Sequence, residues 1–393
     1  GLMQLVAYGA QDIYLTGNPQ ITFFKVVYRR HTNFSCESIE RTPNGTVDFG
    51  NKVSFTISRN GDLVHRCYLE MSSSAAVGSV TNSLLWVKTA TVEIGGQQID
   101  KHYGEWLHMW TNLTHTTDKL SALSSMALYT GVGVKTYVPL QFWFCRNPGL
   151  ALPLIALQYH EVKIQIEFQS KGFVDDGGSP DASLSAALWC DYIYLDTDER
   201  RRFAQVSHEY LIEQLQFNGT ETLTDDSSPS IDLNLNHPVK ALYWTQSQGE
   251  VDDSPYTQVV AHHLGDQKLV LNGHDRFAAR NHKYFTDVQR YQHHSGYPAT
   301  GATNTFTQVN TRYKINMYSF ALEPEEHQPS GTCNFSRIDN AQLKLGQGSL
   351  SATPALNGKV DAPASTGTSL NIYAVNYNVL RIMSGMGGLA YSN

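Results

Sequence analysis

One short run in this chain carries residues that could bind phosphate: Gly131-Val132-Gly133-Val134-Lys135-Thr136. A phosphate-binding loop needs glycine immediately before its lysine, because backbone N–H groups must converge on the phosphate there. Val134 occupies that position. The run therefore predicts a turn between strands and no nucleotide site.

Fifteen histidines could supply metal ligands, and two pairs are adjacent, His262-His263 and His293-His294. Neighbouring residues on a strand point to opposite faces, so neither pair is preset to chelate one ion. The zinc spacings H-E-x-x-H and H-x-E…C-x-x-C do not occur, and neither does the G-x-S-x-G serine elbow. We predict no catalytic residue, no metal ligand and no cofactor.

Paired carboxylates and glycosylation sequons are the remaining candidates for chemistry. The carboxylate pairs Asp175-Asp176, Asp225-Asp226 and Asp252-Asp253 lie among Gly, Ser and Pro, which is typical of turns. Sequons of the form N-x-S/T occur at Asn33, Asn44, Asn112, Asn218 and Asn334. These five are possible glycosylation sites, but the start of the chain lacks a secretory signal, so we expect them to be unmodified.

Composition restricts the partners of this chain. Its net charge of −7 argues against general nucleic-acid binding, which needs clustered Lys and Arg to neutralise phosphates. The one basic cluster, Arg200-Arg201-Arg202, follows Asp196, Asp198 and Glu199 and predicts a locally paired, solvated segment. Charged residues make up 17% of the chain, against roughly 25% in typical globular proteins, and aromatics reach 11%. A protein that covers much of its surface with partners has this composition, and so does a β-rich protein with polar loops.

The cysteines indicate reduced thiols in a cytosolic setting. There are five, widely spaced and without a C-x-x-C pair: Cys36, Cys67, Cys145, Cys190 and Cys333. An odd, scattered set makes a structural zinc site and a disulfide framework both unexpected. The most apolar stretch, residues 142–157, is broken by Arg146, Pro148 and Pro153, so we predict no transmembrane span.

The elements that would position these residues are mostly strands. Residues 52–58 and 162–168 alternate polar and apolar types with a period of two, which is typical of strands with one buried face. The run 369–384 places Ile372 and Ala374 on one face and Tyr373, Val375, Tyr377 and Val379 on the other. Helical patterning is confined to about 101–128 and 275–292, and 346–369 reads as a long exposed loop.

One strand-to-glycine step occurs twice. Val92-Glu93-Ile94-Gly95-Gly96 and Leu269-Val270-Leu271-Asn272-Gly273 are each followed by apolar residues at i, i+1, i+4 and i+7, the spacing of one helix face. The first set is Trp106, Leu107, Trp110 and Leu113, and the second is Tyr284, Phe285, Val288 and Tyr291. This repeat predicts two similar β-sandwich domains. We place an N-terminal arm at 1–24, the domains at 25–195 and 208–393, and a linker at 196–207.

Four tracts resemble one protein family along nearly the whole chain. The longest begins Val138-Pro139-Leu140-Gln141-Phe142-Trp143-Phe144-Cys145-Arg146-Asn147-Pro148 and continues through residues 151–162. The others cover residues 320–339, 17–25 and 376–385. Together they resemble the signature of major capsid proteins of nucleocytoplasmic large DNA viruses, nearest to those of algal viruses and their relatives.

The resemblance implies an all-β fold of two consecutive eight-stranded jelly rolls, with short helices inserted in the loops. It also implies a homotrimeric capsomer of pseudo-hexagonal outline that tiles an icosahedral shell and is made late in infection. Neighbouring capsomers, minor capsid proteins and penton proteins would be its partners, above an internal membrane. Assembly would take place in the host cytoplasm, and loops near 95–136, 272–308 and 346–369 would build outward-facing towers.

Other functions compatible with a β-sandwich chain remain open at this point. A viral carbohydrate-binding module would need an aromatic platform, for which Trp106 and Trp110 are the nearest candidates. A minor capsid protein is a further alternative. A cupin-like oxygenase would need ligand motifs that this sequence lacks.

Overall fold

The computed structural model describes residues 2–7, 9–75, 82–174, 182–223, 229–248, 261–263, 266–296, 315–346, 350–352 and 368–391. Most of these residues form antiparallel strands, in two groups that follow one another along the chain. The all-β prediction of two consecutive jelly rolls is confirmed.

The first half contains two sheets that face each other. One sheet has the strand order β1-β10-β4-β7, with β8 beside β4, and the other has the order β2-β3-β9-β5-β6. The strands are β1 (Phe34–Arg41), β2 (Pro43–Asn44), β3 (Lys52–Ile57), β4 (Leu63–Ser73), β5 (Val87–Ile94), β6 (Gln97–Tyr103), β7 (Thr136–Pro139), β8 (Leu152–Pro153), β9 (Val162–Phe168) and β10 (Leu184–Leu195).

The second half repeats this strand order. Its strands are β11 (His208–Leu223), β12 (Ser230–Asp232), β13 (Pro238–Gln248), β14 (Ala261–His263), β15 (Gln267–Leu271), β16 (His274–Asp275), β17 (Ile315–Ser319), β18 (Cys333–Asn334), β19 (Ala341–Leu345), β20 (Leu350–Ala352), β21 (Thr368–Met383) and β22 (Met386–Leu389). The sheets run β11-β21-β13-β17 and β12-β19-β15-β16, so each main strand has a counterpart in the first half. Strands β18 and β22 join the former sheet, and β14 pairs with β20.

The predicted alternating strands are confirmed, and they pair with each other. Strand β3 alternates exposed or half-buried with buried residues, as does β9, and the two are antiparallel neighbours with Phe55 opposite Ile164. Strand β21 also has the two predicted faces. Ile372 and Ala374 pack in the core of the second sandwich, whereas Tyr373 and Val375 pack toward the first half.

The repeated glycine step is a two-residue hairpin turn in both halves. Ile94 pairs with Gln97 across Gly95-Gly96, and Leu271 pairs with His274 across Asn272-Gly273. The central residues have positive φ: 59° and 83° in the first turn, 51° and 77° in the second. Two positive φ values define a type I′ turn, which matches the right-handed twist of the flanking strands and favours Gly-Gly and Asn-Gly.

Short helices connect the strands. They are α1 (Leu2–Leu5), α2 (Ile13–Thr16), α3 (Gly104–Thr114), α4 (Thr117–Ala127), α5 (Trp143–Arg146), α6 (Lys171–Val174), α7 (Thr197–Gln205) and α8 (Gln289–His293). A π-helical turn spans Tyr284–Val288, and single 3₁₀ turns span Ser83–Trp86, Pro148–Leu150 and Phe335–Arg337. Helices α3 and α4 confirm the helical prediction for 101–128.

The predicted apolar face of the second helical segment is wrong. Phe285 is buried, but Val288 and Tyr291 are 42% and 80% exposed. The π turn adds residues to each turn of helix and rotates the following face. As a result the buried side chains of α8 are polar, Gln289 and Arg290.

The chain before β1 lies entirely on the outside. All described residues from 9 to 33 are exposed, and Phe23 and Phe24 are 90% and 98% exposed. No helix among the described residues is both long and apolar enough to cross a bilayer. The predicted exposed loop at 346–369 falls mostly outside the described residues, except for Gly346, β20 and the start of β21.

Candidate functional site at the seam between the two halves

The two sandwiches meet along a seam, which we define as the contact of hairpin β5–β6, α3 and α5 with the sheet of β11, β13, β17 and β21. Its apolar part contains Trp106, Met109, Trp110 and Leu113 from α3. They pack against Ala241, Tyr243, Ile315, Met317, Tyr373 and Val375 of the second half. Helix α3 therefore belongs to the first half by sequence but buries its apolar face against the second.

Aromatic rings dominate this contact. The ring centroid of Trp106 lies 5.6 Å from that of Trp110 and 5.3 Å from that of Tyr243. Separations of about 4.5–7 Å with tilted or edge-on rings are favourable beyond simple area burial. Trp106 and Trp110 are 3% and 4% exposed, so they cannot present the aromatic platform that a carbohydrate-binding module would need.

Glu105, in the first turn of α3, connects the helix to β21. Its Oε2 accepts hydrogen bonds from the Tyr373 hydroxyl at 2.6 Å and from Asn371 Nδ2 at 2.8 Å. Burial raises the pKa of Glu105, and these two hydrogen bonds partly offset the effect. The Glu105 side chain also lies at the positive end of the α3 helix dipole, where a negative charge is stabilising.

Three of the last four carbonyls of α3 are bound by residues of the second half, and one by His115 of the first half. The final four C=O groups of an α-helix have no partner inside the helix. Here Thr111 O accepts from His115 N at 3.1 Å, and Leu113 O accepts from Gly296 N at 2.8 Å. Thr114 O accepts from Ser295 Oγ at 3.0 Å.

The fourth carbonyl of this helix end is bound by a buried cation. Arg290 Nη2 donates to Asn112 O at 2.5 Å, and Arg290 Nε donates to Gly296 O at 3.2 Å. The guanidinium lies at the negative end of the α3 dipole, where a cation is stabilising. The segment from α8 to Gly296 thus satisfies the α3 terminus, and sequence periodicity gave no signal for it.

Hairpin β5–β6 forms further polar contacts across the seam. Asp100 Oδ1 accepts from Leu215 N at 3.0 Å, and Gln214 Nε2 donates to Ile99 O. On the same strand, Asp100 Oδ2 lies 2.8 Å from His102 Nε2. Nearby, Gly387 N donates to His160 Nδ1 at 3.2 Å, which ties β22 to the first half.

A buried ionic cluster lies at one end of the seam. Glu213 of β11 is 2.7 Å from Lys240 Nζ and 3.0 Å from Arg146 Nη2 of α5. The Arg146 guanidinium also lies over the Trp110 ring, 4.9 Å from its centroid. Two cations from different halves therefore share one carboxylate.

The charges of this cluster explain its titration. Burial alone would raise the pKa of Glu213, but its cationic neighbours, Arg146 first, outweigh burial and lower the value to about 2. Burial is the largest effect on Lys240 and lowers its pKa, and repulsion by Arg146 adds to it, while Glu213 only partly offsets both. Glu213 is therefore ionised at neutral pH. Removing one partner of such a buried cluster is expected to be strongly destabilising.

The sequence candidates for chemistry occupy structural positions. The run 131–136 forms a turn between α4 and β7, not between two strands, and Lys135 Nζ lies 2.6 Å from Glu70 Oε1. Arg200 pairs with buried Asp62 of the first half at 2.8 Å instead of with its neighbours in sequence. The three carboxylate pairs lie outside the described residues.

The side chains of the adjacent residues His293 and His294 contact different partners. His294 is buried, 2.7 Å from Glu325 Oε1 and 3.2 Å from the Tyr243 hydroxyl, whereas His293 Nδ1 lies 2.9 Å from Leu322 O. Of His262-His263 only the backbone, in β14, is described. Within the described ranges, no three His, Cys, Asp or Glu side chains are arranged to hold a metal ion.

The five sequons differ in accessibility. Asn33, Asn44 and Asn334 are exposed, and Asn218 is half-buried with its Nδ2 donating to Asp232 O at 2.9 Å. Asn112 is 4% exposed and its Nδ2 donates to His108 O at 2.9 Å. The packing of α3 leaves no space for a glycan at Asn112. That the exposed sequons are possible sites but unmodified stays a prediction.

Known proteins share this architecture. A chain of the PBCV-1 virus capsid superposes with a TM-score of 0.81 at 41% identity, covering 95% of this chain and 100% of that one. The Faustovirus major capsid protein has the same fold at 12% identity, with a TM-score of 0.64 and coverage of 96% and 94%. The paired sandwiches and their seam thus define a double jelly-roll protein of the viral capsid class.

Sequence comparisons identify the family. The family described as "Major capsid protein N-terminus" matches residues 22–196, and "Large eukaryotic DNA virus major capsid protein" matches residues 199–388. The major capsid protein of Pyramimonas orientalis virus is 55% identical, covering 100% of this chain and 99% of its own. That of Paramecium bursaria Chlorella virus 1 is 46% identical with the same coverage. The chain belongs to the family of large eukaryotic DNA virus major capsid proteins.

Proposed function

We propose that three copies of this chain form a homotrimeric capsomer of pseudo-hexagonal outline, and that these capsomers tile an icosahedral shell. One observation carries the proposal: each chain contains two sandwiches of the same strand order, fixed side by side by the seam. Threefold closure of such a two-lobed subunit places six similar walls around the ring. Each wall can then meet the wall of a neighbouring capsomer.

The exposed arm supports assembly as the role of the chain. Its large apolar side chains, including Phe23 and Phe24, have no cover in the single subunit. Exposed apolar surface of this extent marks contact sites between proteins. We propose that the arm, residues 1–24, contacts neighbouring subunits, with residues 25–195 and 208–393 as the two lobes and 196–207 as their linker.

The role is structural and includes no catalysis. Minor capsid and penton proteins are the further proposed partners, with assembly in the host cytoplasm above an internal membrane and no direct contact with nucleic acid. The exposed sequons Asn33, Asn44 and Asn334 are possible glycosylation sites, with Asn218 less accessible, and we expect them to be unmodified.

Light scattering coupled to size exclusion tests the trimer on the purified full-length chain. We expect a particle of three times the 43.8 kDa chain mass, with a hexagonal outline in negative-stain images. A monomer throughout the micromolar range would overturn the proposal. So would a trimer with three well-separated lobes, because the two sandwiches would then not act as equal walls.

A further inference from the structure

Three of the five cysteines converge inside the first half. Cys67 on β4 and Cys190 on β10 are directly opposite each other in the antiparallel register, and their Sγ atoms are 3.4 Å apart. The Cys67 thiol also contacts Cys145 of α5. All five cysteines are free thiols, so this cluster is a reduced site and not an existing bridge.

The geometry of the cross-strand pair is close to that of a disulfide. Directly opposed residues on antiparallel strands have Cα atoms about 4.5–5.5 Å apart, which is within the disulfide range of roughly 4.4–6.8 Å. Small rotations of the two side chains would bring the sulfur atoms to bonding distance. The backbone therefore does not need to move.

The third thiol connects this pair to the outside. Cys67 and Cys145 line a cavity of about 950 Å³ next to the seam, within the upper range of ligand-sized pockets, about 300–1,000 Å³. Its wall carries three cations, Arg66, Lys119 and Arg146, and two carboxylates, Glu325 and Glu326, so it suits a small molecule with groups of both charges. Cys145 is 9% exposed, against 2% for Cys67 and 0% for Cys190, so it is the thiol that a reagent in the cavity meets first.

We propose that Cys67 and Cys190 form a cross-strand disulfide by exchange with a small disulfide of the glutathione type, which carries both ammonium and carboxylate groups and reacts first at Cys145. Cys145 Sγ attacks one sulfur of the small disulfide and releases the other half as a thiol. Cys67 then displaces the second half from Cys145, and Cys190 displaces Cys145 from Cys67. Two protein thiols are oxidised, the small disulfide is reduced to two thiols, and Cys145 returns to the thiol form.

The surroundings of Cys67 determine the rate of this reaction, and the position of the new bond determines its effect on stability. Contacts with Cys145 and Cys190, and then burial, raise the pKa of the Cys67 thiol, so the exchange is slow at neutral pH and faster in alkali. The new bond would join the central strands β4 and β10 and close a long loop, which restricts the unfolded chain. A subunit moved from a reducing to an oxidising medium would thereby gain thermal stability.

Non-reducing peptide mapping tests the proposal on the native full-length protein incubated with oxidised glutathione. We expect an early glutathione adduct at Cys145, then a peptide linking Cys67 to Cys190, and a higher melting temperature that reductant reverses. Cys145→Ala should slow the linkage by about tenfold or more, because attack must then begin at a fully buried thiol. Cys190→Ala should redirect the bond to Cys67 and Cys145.

Cys36→Ala is the matched control, since Cys36 is an exposed thiol remote from the cavity. It should leave the rate of linkage unchanged. The proposal is overturned if the native protein gains a glutathione adduct at Cys36 while Cys67 and Cys190 both stay reduced. It is also overturned if the Cys67–Cys190 peptide forms only after denaturation, or equally fast in Cys145→Ala.

Discussion

In each half of this protein a helical excursion, α3 or the π turn with α8, follows a type I′ hairpin. The two excursions bury different kinds of side chain. In the first half, α3 inserts Trp110 and Leu113 into the seam as an apolar face. In the second half, the equivalent positions Val288 and Tyr291 face solvent, and the buried face carries Gln289 and Arg290. One excursion supplies apolar area and the other supplies hydrogen bonds.

The difference shows that the two halves have complementary roles in one contact. The apolar face of α3 excludes water from its own C-terminus, where unpaired carbonyls would be costly. Arg290, Ser295 and Gly296 of the second half bind three of those carbonyls. An apolar residue in place of Arg290 would leave the carbonyl of Asn112 without this partner.

The largest expected effect comes from Trp110→Ala in the first excursion. It removes a buried ring and its contacts with Trp106 and Arg146, so we expect the free energy of unfolding to fall by about 3–5 kcal/mol. Val288→Ala, the equivalent position in the second half, should change it by less than about 0.5 kcal/mol. Equilibrium denaturation of both variants measures the contrast, and equal losses would show that the two faces are equivalent after all.

The next effect tests the polar excursion. Arg290→Met keeps much of the side-chain volume but removes the donors to Asn112 O and Gly296 O, so we expect a loss of about 1.5–3 kcal/mol. Tyr291→Ala, one residue away and exposed, is the control and should be close to neutral. Hydrogen exchange of the last turn of α3 should rise in Arg290→Met alone. Unchanged protection there would contradict the capping role.

Acid should act mainly on the first excursion. The C-terminal caps of α3 and α8 are both histidines, His115 and His294. Burial, reinforced by Lys119, lowers the pKa of His115 to about 4, and the charge of Glu325 only partly offsets this. Burial also lowers the pKa of His294, but there Glu325 opposes the effect through a hydrogen bond as well as its charge. Since His115 binds its proton more weakly folded than unfolded, stability should fall by about 1–2 kcal/mol as the pH drops from 6.5 toward 4.

Thermal unfolding across that pH range measures this loss. His115→Gln should reduce the slope of the curve between pH 6.5 and 4, with the rest of the slope coming from His108, whose pKa burial also lowers to about 4. His274→Gln, at an exposed histidine, should leave its shape unchanged. A curve of identical slope in all three proteins would assign the acid response to other groups.

The smallest expected effects concern the two hairpin turns. Gly96→Ala and Gly273→Ala should each cost about 1 kcal/mol, because both residues have positive φ and no atom lies near the added Cβ. Gly95→Ala should cost more than either, since its Cβ would meet the His160 ring at 2.5 Å. Denaturation midpoints of the three variants test this order. A tolerated Gly95→Ala would mean that His160 can leave its contact with Gly387.

The strands and the repeated hairpin could be predicted because they follow local rules. A period of two identifies β3 and β9 whatever the partner, and Gly-Gly or Asn-Gly after a strand indicates a type I′ turn. Helix α3 was predictable for the same reason, since its apolar face is complete. The jelly-roll arrangement itself was predicted from family resemblance and not from these patterns.

The polar part of the seam was beyond local patterns. Nothing in the sequence near Glu213 indicates Arg146 and Lys240 as its partners, because the three lie on separate elements joined only by the fold. The π turn at 284–288 shifts the buried face without any glycine or proline to mark it. Apolar periodicity therefore predicted the wrong face for α8.

The order of the strands also determines when the sheets of each lobe can be completed during synthesis. Strand β10 lies between β1 and β4, and β21 lies between β11 and β13, so each sheet is incomplete until the last long strand of its lobe is made. The first lobe can finish while the ribosome is still translating the second. Until the second lobe is complete, Trp106 and Trp110 of α3 are exposed to solvent, and such transiently exposed apolar surface is prone to aggregation. This face of the nascent chain is where a chaperone has most to protect.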